Sequence, residues 1–187
     1  MAIITADIKG FKYKFETCES CFSPRHVDKG TLAMLSHINF KAGDKVLDLG
    51  CGYGVVGIVA ARYTAPENVY LLDIDEKVLA CAARNLIING SEGVHVILSD
   101  AYDAIDEIGF DMIISNPPYQ TDFSTPKKFI EKGFNRLKIG GRIYMVTKRE
   151  LWYKNKIAAI FGGVRVFESD GYFIFEAEKR RAKYANK

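Results

Sequence analysis

Apolar and polar residues follow two different periods along this chain. Near its start, in "FKYKFET", Phe11, Tyr13 and Phe15 fall on one face and lysines on the other, which is typical of a half-exposed strand. From residue 29 onward, short apolar runs of strand length alternate with longer segments in which apolar residues recur at helical spacing. This alternation predicts a mainly parallel sheet with helices on both of its faces.

The predicted elements divide into helices and strands that alternate. Helices are predicted in "KGTLAMLSHI", "GVVGIVAARY", "EKVLACAARNLIING", "TPKKFIEKGFNRLKIGG" and "ELWYKNKIAAIF". Core strands are predicted in "KVLDLG", "NVYLLDI", "VHVILS", "FDMIIS", "RIYMVTK", "VRVFES" and "GYFIFEAE". We therefore expect one doubly wound α/β domain over residues 1–187, with a seven-stranded sheet whose last strand is antiparallel. It would comprise a short β extension (1–30), the core (31–178) and a basic tail (179–187).

Composition narrows the possible environment and partners only slightly. The 187 residues are 48% hydrophobic and 26% charged, as in ordinary globular proteins, and no apolar run approaches the ~20 residues that span a bilayer. The first residues lack the regions of a secretory signal, so we expect a cytoplasmic protein with no membrane partner. The net charge is +3, and the tail "EKRRAKYANK" either contacts phosphates or simply keeps the terminus solvated.

The cysteines offer one incomplete metal-binding pattern. Cys18 and Cys21 have CxxC spacing in "CESC", and His26 follows nearby. A structural zinc site needs four ligands, usually in two pairs, and the sequence has no second CxxC. We therefore predict reduced thiols and no metal.

The first core strand ends in a glycine-rich loop that suggests a ligand. In "VLDLGCGYGVVG", Gly50, Gly52 and Gly54 let the backbone, with Cys51, pass close to a ligand, and the next helix would present its N–H groups. The stretch formally fits the dinucleotide fingerprint, although the glycine that ends the strand is Gly50 and not the first one of the pattern. Asp48 would repel a pyrophosphate and attract an ammonium. This favours an amino-acid-like cofactor such as S-adenosyl-L-methionine over NAD.

Acidic residues also end the next two strands. Asp73 in "LLDID" lies ~20 residues beyond the glycines, where a carboxylate would bind both hydroxyls of a ribose. Ile74 would offer an apolar face to an adenine. In "LSDA", Asp100 would accept from the adenine amine, with Ala101 beside it. Any one of these acids could simply cap a helix, but three at successive strand ends predict an adenosine-type cofactor.

Together, "VLDLGCGYG", "LLDID", "SDA" and "NPPY" resemble the class I S-adenosylmethionine-dependent methyltransferases. Over residues 11 to 178 the chain is similar to the small-domain group that includes the 16S rRNA guanine-N2 methyltransferases. The resemblance implies a Rossmann-like fold and methyl transfer to a nitrogen. "FSPRHVDKGTLAML" resembles a segment that lies near the methionine end of the cofactor in that family, which implies this role for Asp28, Gly30 and Thr31.

The resemblance gives "NPPY" a chemical interpretation. A planar exocyclic amine must pyramidalise to attack a sulfonium methyl, and acceptors around its nitrogen favour that change. The Asn116 side-chain oxygen and the Pro117 carbonyl would accept its N–H groups, while Pro117 and Pro118 fix the direction of the carbonyl. Tyr119 would stack on a flat base or amide. The simpler interpretation of the two prolines is a turn beyond the end of the strand.

The substrate remains open at this point. Guanine N2 of rRNA, free or in a ribosomal subunit, is preferred because of the subfamily; adenine N6 of RNA or DNA and a glutamine side chain of a protein are alternatives. Surface cations that could guide RNA are Arg25, Lys127, Lys128, Lys148 and Arg149. An NAD-dependent oxidoreductase is disfavoured by Asp48 and "NPPY". A non-catalytic RNA-binding module is disfavoured because every cofactor position is intact.

Overall fold

A computed structural model describes residues 2–118 and 122–185 of the chain. It begins with an antiparallel hairpin of two strands, β1 (Ala2–Ile8) and β2 (Phe11–Thr17). On β2 alternate side chains are buried, and its two lysines are exposed. The predicted half-exposed strand is therefore confirmed, and its buried face packs against the core of the protein.

Seven further strands form the main sheet. In chain order they are β3 (Val46–Leu49), β4 (Val69–Asp73), β5 (His95–Leu98), β6 (Phe110–Ser115), β7 (Leu137–Thr147), β8 (Arg165–Ser169) and β9 (Tyr172–Glu178). Their spatial order is β5-β4-β3-β6-β7-β9-β8. The pairs from β5 to β7 are parallel, and β9 is antiparallel to both of its neighbours. The prediction of a mainly parallel seven-stranded sheet with an antiparallel last strand is confirmed.

Helices cover both faces of this sheet. They are α1 (Lys29–His37), α2 (Val55–Ala60), α3 (Glu76–Ile88), α4 (Ser124–Arg136) and α5 (Glu150–Phe161). The hairpin, α1, α2 and α3 pack on one face around Val46 and Leu71, and α4 and α5 pack on the other around Leu47 and Ile113. Within the described residues, no helix combines the length and the apolar composition needed to cross a bilayer.

The predicted boundary between the fourth helix and the strand after it is wrong. The helix predicted to run to the glycines of "KIGG" ends at Arg136, and β7 starts with the next residue. Leu137 is buried and pairs with Phe110 of β6, so sheet pairing overrides the helical pattern. The register then shifts, and Gly140 takes a positive φ of 83° that few other residues would adopt.

The first basic residue of the predicted tail, Lys179, belongs to the fold. Its side chain is buried, and its ammonium donates to the Leu137 carbonyl at 2.7 Å. The same ammonium lies 4.9 Å from the centroid of the Phe134 ring. Burial lowers the pKa of Lys179. This residue is therefore not available for phosphate contacts.

Two asparagines on α3 attach the N-terminal hairpin to the core. Asn85 is fully buried; its amide donates to the carbonyls of Glu16 and Tyr53, both at 2.9 Å, and its oxygen accepts from the Glu16 N–H at 2.6 Å. One turn later, the amide of Asn89 bonds in the same manner to the N–H and carbonyl of Lys14. The side chains thus extend the hydrogen bonding of β2 onto a helix.

The two asparagines should differ in their contributions to stability. Asn85→Ala leaves backbone groups of Glu16 and Tyr53 unpaired away from water, so we expect the free energy of unfolding to fall by about 3 kcal/mol. Asn89→Ala removes similar bonds where water can replace them, and should cost below about 1 kcal/mol. Urea unfolding followed by circular dichroism measures both. Equal losses would show that burial of Asn85 does not hold the hairpin.

Candidate active site

A cavity of about 500 Å³ lies at the carboxyl ends of β3, β4 and β6. Parallel strands bring their carboxyl ends to the same edge of a sheet, which is where ligands bind in doubly wound folds. Most of the predicted site residues line this cavity. They are Thr31, Asp48, Gly50, Cys51, Gly52, Asp73, Ile74, Asp100, Ala101, Asn116 and Pro118.

Two residues predicted from the glycine loop and from "NPPY" have another place. Gly54 precedes α2 with φ at 93°, and a Cβ there would lie 3.2 Å from Leu71, so this glycine serves helix packing and is not part of the wall. Pro117 is buried and is not among the residues that line the cavity, although Asn116 and Pro118 on either side of it are. Tyr119 lies outside the described residues.

The glycine loop is shaped by its backbone. Gly50 and Gly52 have φ values of 70° and 55°, which favour glycine. The N–H groups of Gly50 and Cys51 donate to the Leu72 carbonyl at 2.8 and 3.0 Å, which ties the loop to the end of β4. A Cβ on Gly52 would meet no atom of the described chain within 4 Å, so the space above the loop is open to a ligand.

Asp48 is a buried acid in the wall of this cavity. It is only 2% exposed, and one carboxylate oxygen accepts from the Gly57 N–H at 2.9 Å. No basic side chain among residues 2–118 and 122–185 forms an ion pair with it. Burial, with a smaller contribution from the negative charge of Asp73, raises the pKa of Asp48 to about 7. The site therefore suits a cationic ligand group, which would offset the cost of burying the charge.

The helix after the glycine loop contributes less than the sequence predicted. α2 has only six residues, and the N–H of Gly57 in its first turn is bonded to Asp48. A Cβ on Gly57 would come within 2.2 Å of Leu71, so Gly57 allows the helix to lie close against β4. Its role is packing.

Asp73 stands at the end of β4 with both carboxylate oxygens fixed by backbone groups. One accepts from the Gly52 N–H at 2.8 Å and the other from the Asp75 N–H at 3.1 Å. The next side chain, Ile74, lies on the cavity wall and is 70% exposed. A fixed carboxylate beside an exposed apolar side chain is the arrangement that the sequence predicted for a nucleoside.

Asp100 is paired with a lysine in this structure. Its carboxylate forms an ion pair with the Lys128 ammonium at 3.1 Å, and that ammonium also contacts Asp103 at 2.9 Å. The following residue, Ala101, has a positive φ of 53°, which is costly for a residue with a side chain. The Ser99 hydroxyl donates to the Ala101 carbonyl at 2.8 Å and helps to hold this turn.

Asn116 is oriented by Asp28 and Thr31. Only the resemblance to the methyltransferase family suggested that these two residues lie near the site. The amide nitrogen of Asn116 donates to the Asp28 carboxylate at 3.0 Å and to the Thr31 hydroxyl at 2.9 Å. Asp28 also caps α1 by accepting from the Thr31 N–H, and it accepts from the Tyr172 hydroxyl at 3.3 Å. These contacts fix the plane of the Asn116 amide and set which side carries its oxygen.

Sequence reasoning missed several residues of the wall. Phe129 and Thr125 come from α4, and Ser20 and Phe22 come from the turn after β2. Phe129 was indistinguishable from a core residue because the apolar pattern of a helix does not say which of its ends faces a cavity. Tyr172 was missed as a partner of Asp28 because only the placing of β9 brings it there.

The matching family model is described as the methyltransferase small domain, and it covers residues 12–176. The chain belongs to this family. It is similar to ribosomal RNA small subunit methyltransferase C of Sodalis glossinidius, with 35% identity over 162 residues, 84% of this chain and 46% of that protein. It is also similar to the protein of that name from Pseudomonas entomophila, with 34% identity over 163 residues, 84% of this chain and 48% of that one.

A solved structure of similar fold is the 16S rRNA N2 guanine methyltransferase of T. thermophilus, determined with AdoMet and guanosine. Its TM-score is 0.88 at 27% identity, covering 96% of this chain and 50% of that one. The chain thus spans about half the length of these relatives. The resemblance inferred from the sequence and the Rossmann-like fold are confirmed.

The buried carboxylate predicts an unusual pH dependence of stability. Because the pKa of Asp48 is raised from 3.8 to about 7, folding favours its protonated form, and stability falls as the pH rises through this range. Asp48→Asn keeps an acceptor for the Gly57 N–H without the charge. We expect it to stabilise the ligand-free protein at pH 8, by up to about 4 kcal/mol, with the gain vanishing below about pH 4. Urea unfolding across this pH range measures the difference.

Asp103 provides the control. It is exposed, and hydrogen bonds from Lys132 and Lys128 lower its pKa to about 2. Asp103→Asn should therefore have the opposite sign, a loss of stability at pH 8 that shrinks on acidification. A gain at pH 8 in both variants would mean that net charge, and not burial of Asp48, explains the effect.

Proposed function

We propose that this chain is an S-adenosyl-L-methionine-dependent methyltransferase that acts on the N2 amine of a guanine in rRNA. The main support for this proposal is that Asn116 and Asp48 line the same cavity. One is an oriented amide suited to an amine, and the other is a buried acid suited to a cation. The names of the relatives and the guanosine in the T. thermophilus structure support the choice of substrate.

The cofactor fits the donors and acceptors of the cavity. Asp48 would receive its ammonium, Asp73 its ribose hydroxyls and Ile74 one face of its adenine. Asp100 would accept a hydrogen bond from the adenine amine. If its ion pair with Lys128 opened for this purpose, Lys128 would still be paired with Asp103. When bound, the cofactor supplies an electrophilic methyl group on a sulfonium.

Asn116 and Pro117 act on the amine of the substrate. Both amide protons of Asn116 are directed to Asp28 and Thr31, so its oxygen is the acceptor that it can offer to the amine. The Pro117 carbonyl would accept the second N–H, and the flanking proline rings hold that carbonyl in place. Acceptors set in advance cost no reorganisation when the nitrogen becomes tetrahedral, so they lower the barrier to its attack.

Aromatic and cationic side chains near the cavity suit RNA. Phe123 stacks on Trp152 with ring centroids 4.4 Å apart, and the Arg149 guanidinium lies 5.2 Å from the Phe123 centroid. Phe123 stands immediately before α4, close in sequence to Thr125 of the wall. A stacked aromatic pair with a cation can hold an unpaired base, which a guanine must be in order to enter the cavity. The exposed Arg25 and Lys127 could contact phosphates.

Cofactor binding should depend on pH through Asp48. S-adenosylhomocysteine is expected to raise the melting temperature, NAD is not, and Asp48→Asn should abolish most of the shift. Because only ionised Asp48 pairs with an ammonium, affinity should fall by up to about tenfold per pH unit as the pH drops below 7. Calorimetric titration of both proteins between pH 5.5 and 8.5 measures this. Stabilisation by NAD without any by S-adenosylhomocysteine would contradict the proposal.

Methyl transfer should require Asn116. Asn116→Ala removes the acceptor for the amine but no predicted ammonium or ribose contact, so we expect cofactor affinity within about threefold and a rate at least about 100-fold lower. Mass spectrometry of nucleosides from small-subunit rRNA incubated with each protein should show N2-methylguanosine only with an active enzyme. N6-methyladenosine instead would reassign the substrate.

A matched pair at Thr31 tests the orientation of Asn116. Thr31→Ser keeps the hydroxyl that accepts from the Asn116 amide, and Thr31→Val removes it while keeping the shape. The serine variant should retain most of the activity and the valine variant should lose it. Equal activity in the two would show that this hydrogen bond does not position the amide.

A further inference from the structure

We propose that Cys18, Cys21 and Cys81 form a binding site for one thiophilic metal ion of the Zn²⁺ type. The site would join the turn after β2 to α3. The proposal reverses the expectation of no metal, which rested on the lack of a second CxxC. Cys81 supplies the third ligand from a helix far along the chain, where no motif spacing could identify it.

The three sulfur atoms already lie together. All are within 4.8 Å of one another, and those of Cys18 and Cys21 are 2.9 Å apart. Zinc–sulfur bonds of ≈ 2.3 Å in tetrahedral geometry place neighbouring sulfurs about 3.8 Å apart. The sulfurs of Cys18 and Cys21 would therefore have to separate by about 1 Å, which a change of side-chain torsion provides.

The backbone holds these ligands before any metal arrives. The Cys21 N–H donates to the Cys18 carbonyl at 3.0 Å, and the Cys18 N–H donates to the Cys21 sulfur at 3.2 Å. Cys81 lies one helical turn before Asn85, the residue that fastens Glu16 of β2 to α3. The two halves of the site thus have a fixed separation.

The charges near the site suit three thiolates. One Arg84 guanidinium nitrogen lies 3.1 Å from the Cys81 sulfur, and another donates to Glu16 at 2.9 Å. Three thiolates and one divalent ion carry a net charge of −1, and the Arg84 guanidinium lies between this charge and the carboxylate of Glu16, where it weakens their repulsion. Cys21 and Cys81 are buried and Cys18 is partly exposed, so a fourth position can be taken from solvent on the Cys18 side. Binding replaces three thiol protons with one metal ion, and the protons pass to the buffer.

A disulfide between Cys18 and Cys21 is the competing use of these thiols. It would engage only two of the three sulfurs, would require an oxidant and would need their separation to fall from 2.9 Å to ≈ 2.05 Å. That reaction leaves out Cys81, although its buried sulfur lies with the other two. A metal ion uses all three.

The site also touches the proposed cofactor cavity. Ser20 and Phe22 belong to the same turn as the two cysteines, and both line the cavity. A metal bound to this turn and to α3 would fix one wall of the cavity. Metal binding does not depend on the proposed function. Only the expected effect of the metal on cofactor affinity rests on that function.

Metal titration of the whole chain tests the proposal. The protein is stripped with a chelator, kept reduced with a phosphine and titrated with Co²⁺ in the absence of cofactor. We expect saturation at one ion per chain, with thiolate-to-cobalt charge-transfer absorption and tetrahedral visible bands that Zn²⁺ abolishes. Mass spectrometry of the native protein then counts one zinc ion per chain.

Single replacements identify the ligands. Cys18→Ser and Cys81→Ser should each weaken metal binding by at least about tenfold, whereas Cys51→Ser, which alters a buried thiol outside the cluster, should not. Circular dichroism of the metal-free variants shows whether each is folded. If Cys81→Ser is not folded, the test rests on Cys18→Ser, which replaces the partly exposed cysteine. Absence of charge-transfer absorption in the reduced protein, or equal binding by all variants, would overturn the proposal.

Binding of S-adenosylhomocysteine to the zinc-loaded and the metal-free protein then tests the link to the cavity. An affinity that rises with zinc in the wild type but not in Cys18→Ser would show that the ion fixes the wall. If neither form binds this ligand while zinc binding persists, the proposed function fails and the metal site stands.

Discussion

The parallel register of β3 against β4 and β6 is the constraint on which the site depends. Asp48 pairs with Leu71 on one side and Ile114 on the other, so the three strands end at nearly the same level. The residues that follow them therefore surround one cavity. A slip of one position would turn Asp48 toward α4 and α5, and would point the neighbouring leucines at the glycine loop. The slip is excluded because it would place the Asp48 carboxylate among the apolar side chains that pack under α4 and α5.

The sequence could predict those parts of the site that belong to strand ends. Asp48 lies one residue before the end of its strand, Asp73 ends the next one and Asn116 follows a third, and parallel pairing alone brings such positions together. The fold class followed from the same alternation of periods. The end of α4 could not be predicted, because Leu137 fits the helical pattern equally well and only its pairing with Phe110 decides the matter.

Contacts between distant segments were beyond the reach of sequence patterns. Nothing in the sequence around Cys81 distinguishes it from any apolar residue of a helix, and nothing around Tyr172 shows that its hydroxyl reaches Asp28. Both depend on how far α3 and β9 lie from the N-terminal segments. That distance is set by side chains such as Asn85 and by the close approach of Gly30, where a Cβ would lie 2.5 Å from the Tyr172 ring.

The bond between Tyr172 and Asp28 has a consequence for the order in which the protein is made. Tyr172 opens β9, which follows the other strands of this sheet in the chain, yet β9 inserts between β7 and β8 and reaches the residue that caps α1. A nascent chain that ends before β9 already contains the glycine loop, Asp48 and Asn116. It lacks the hydroxyl that completes the partners of Asp28, so the geometry around the Asn116 amide is finished only after β9 has been made.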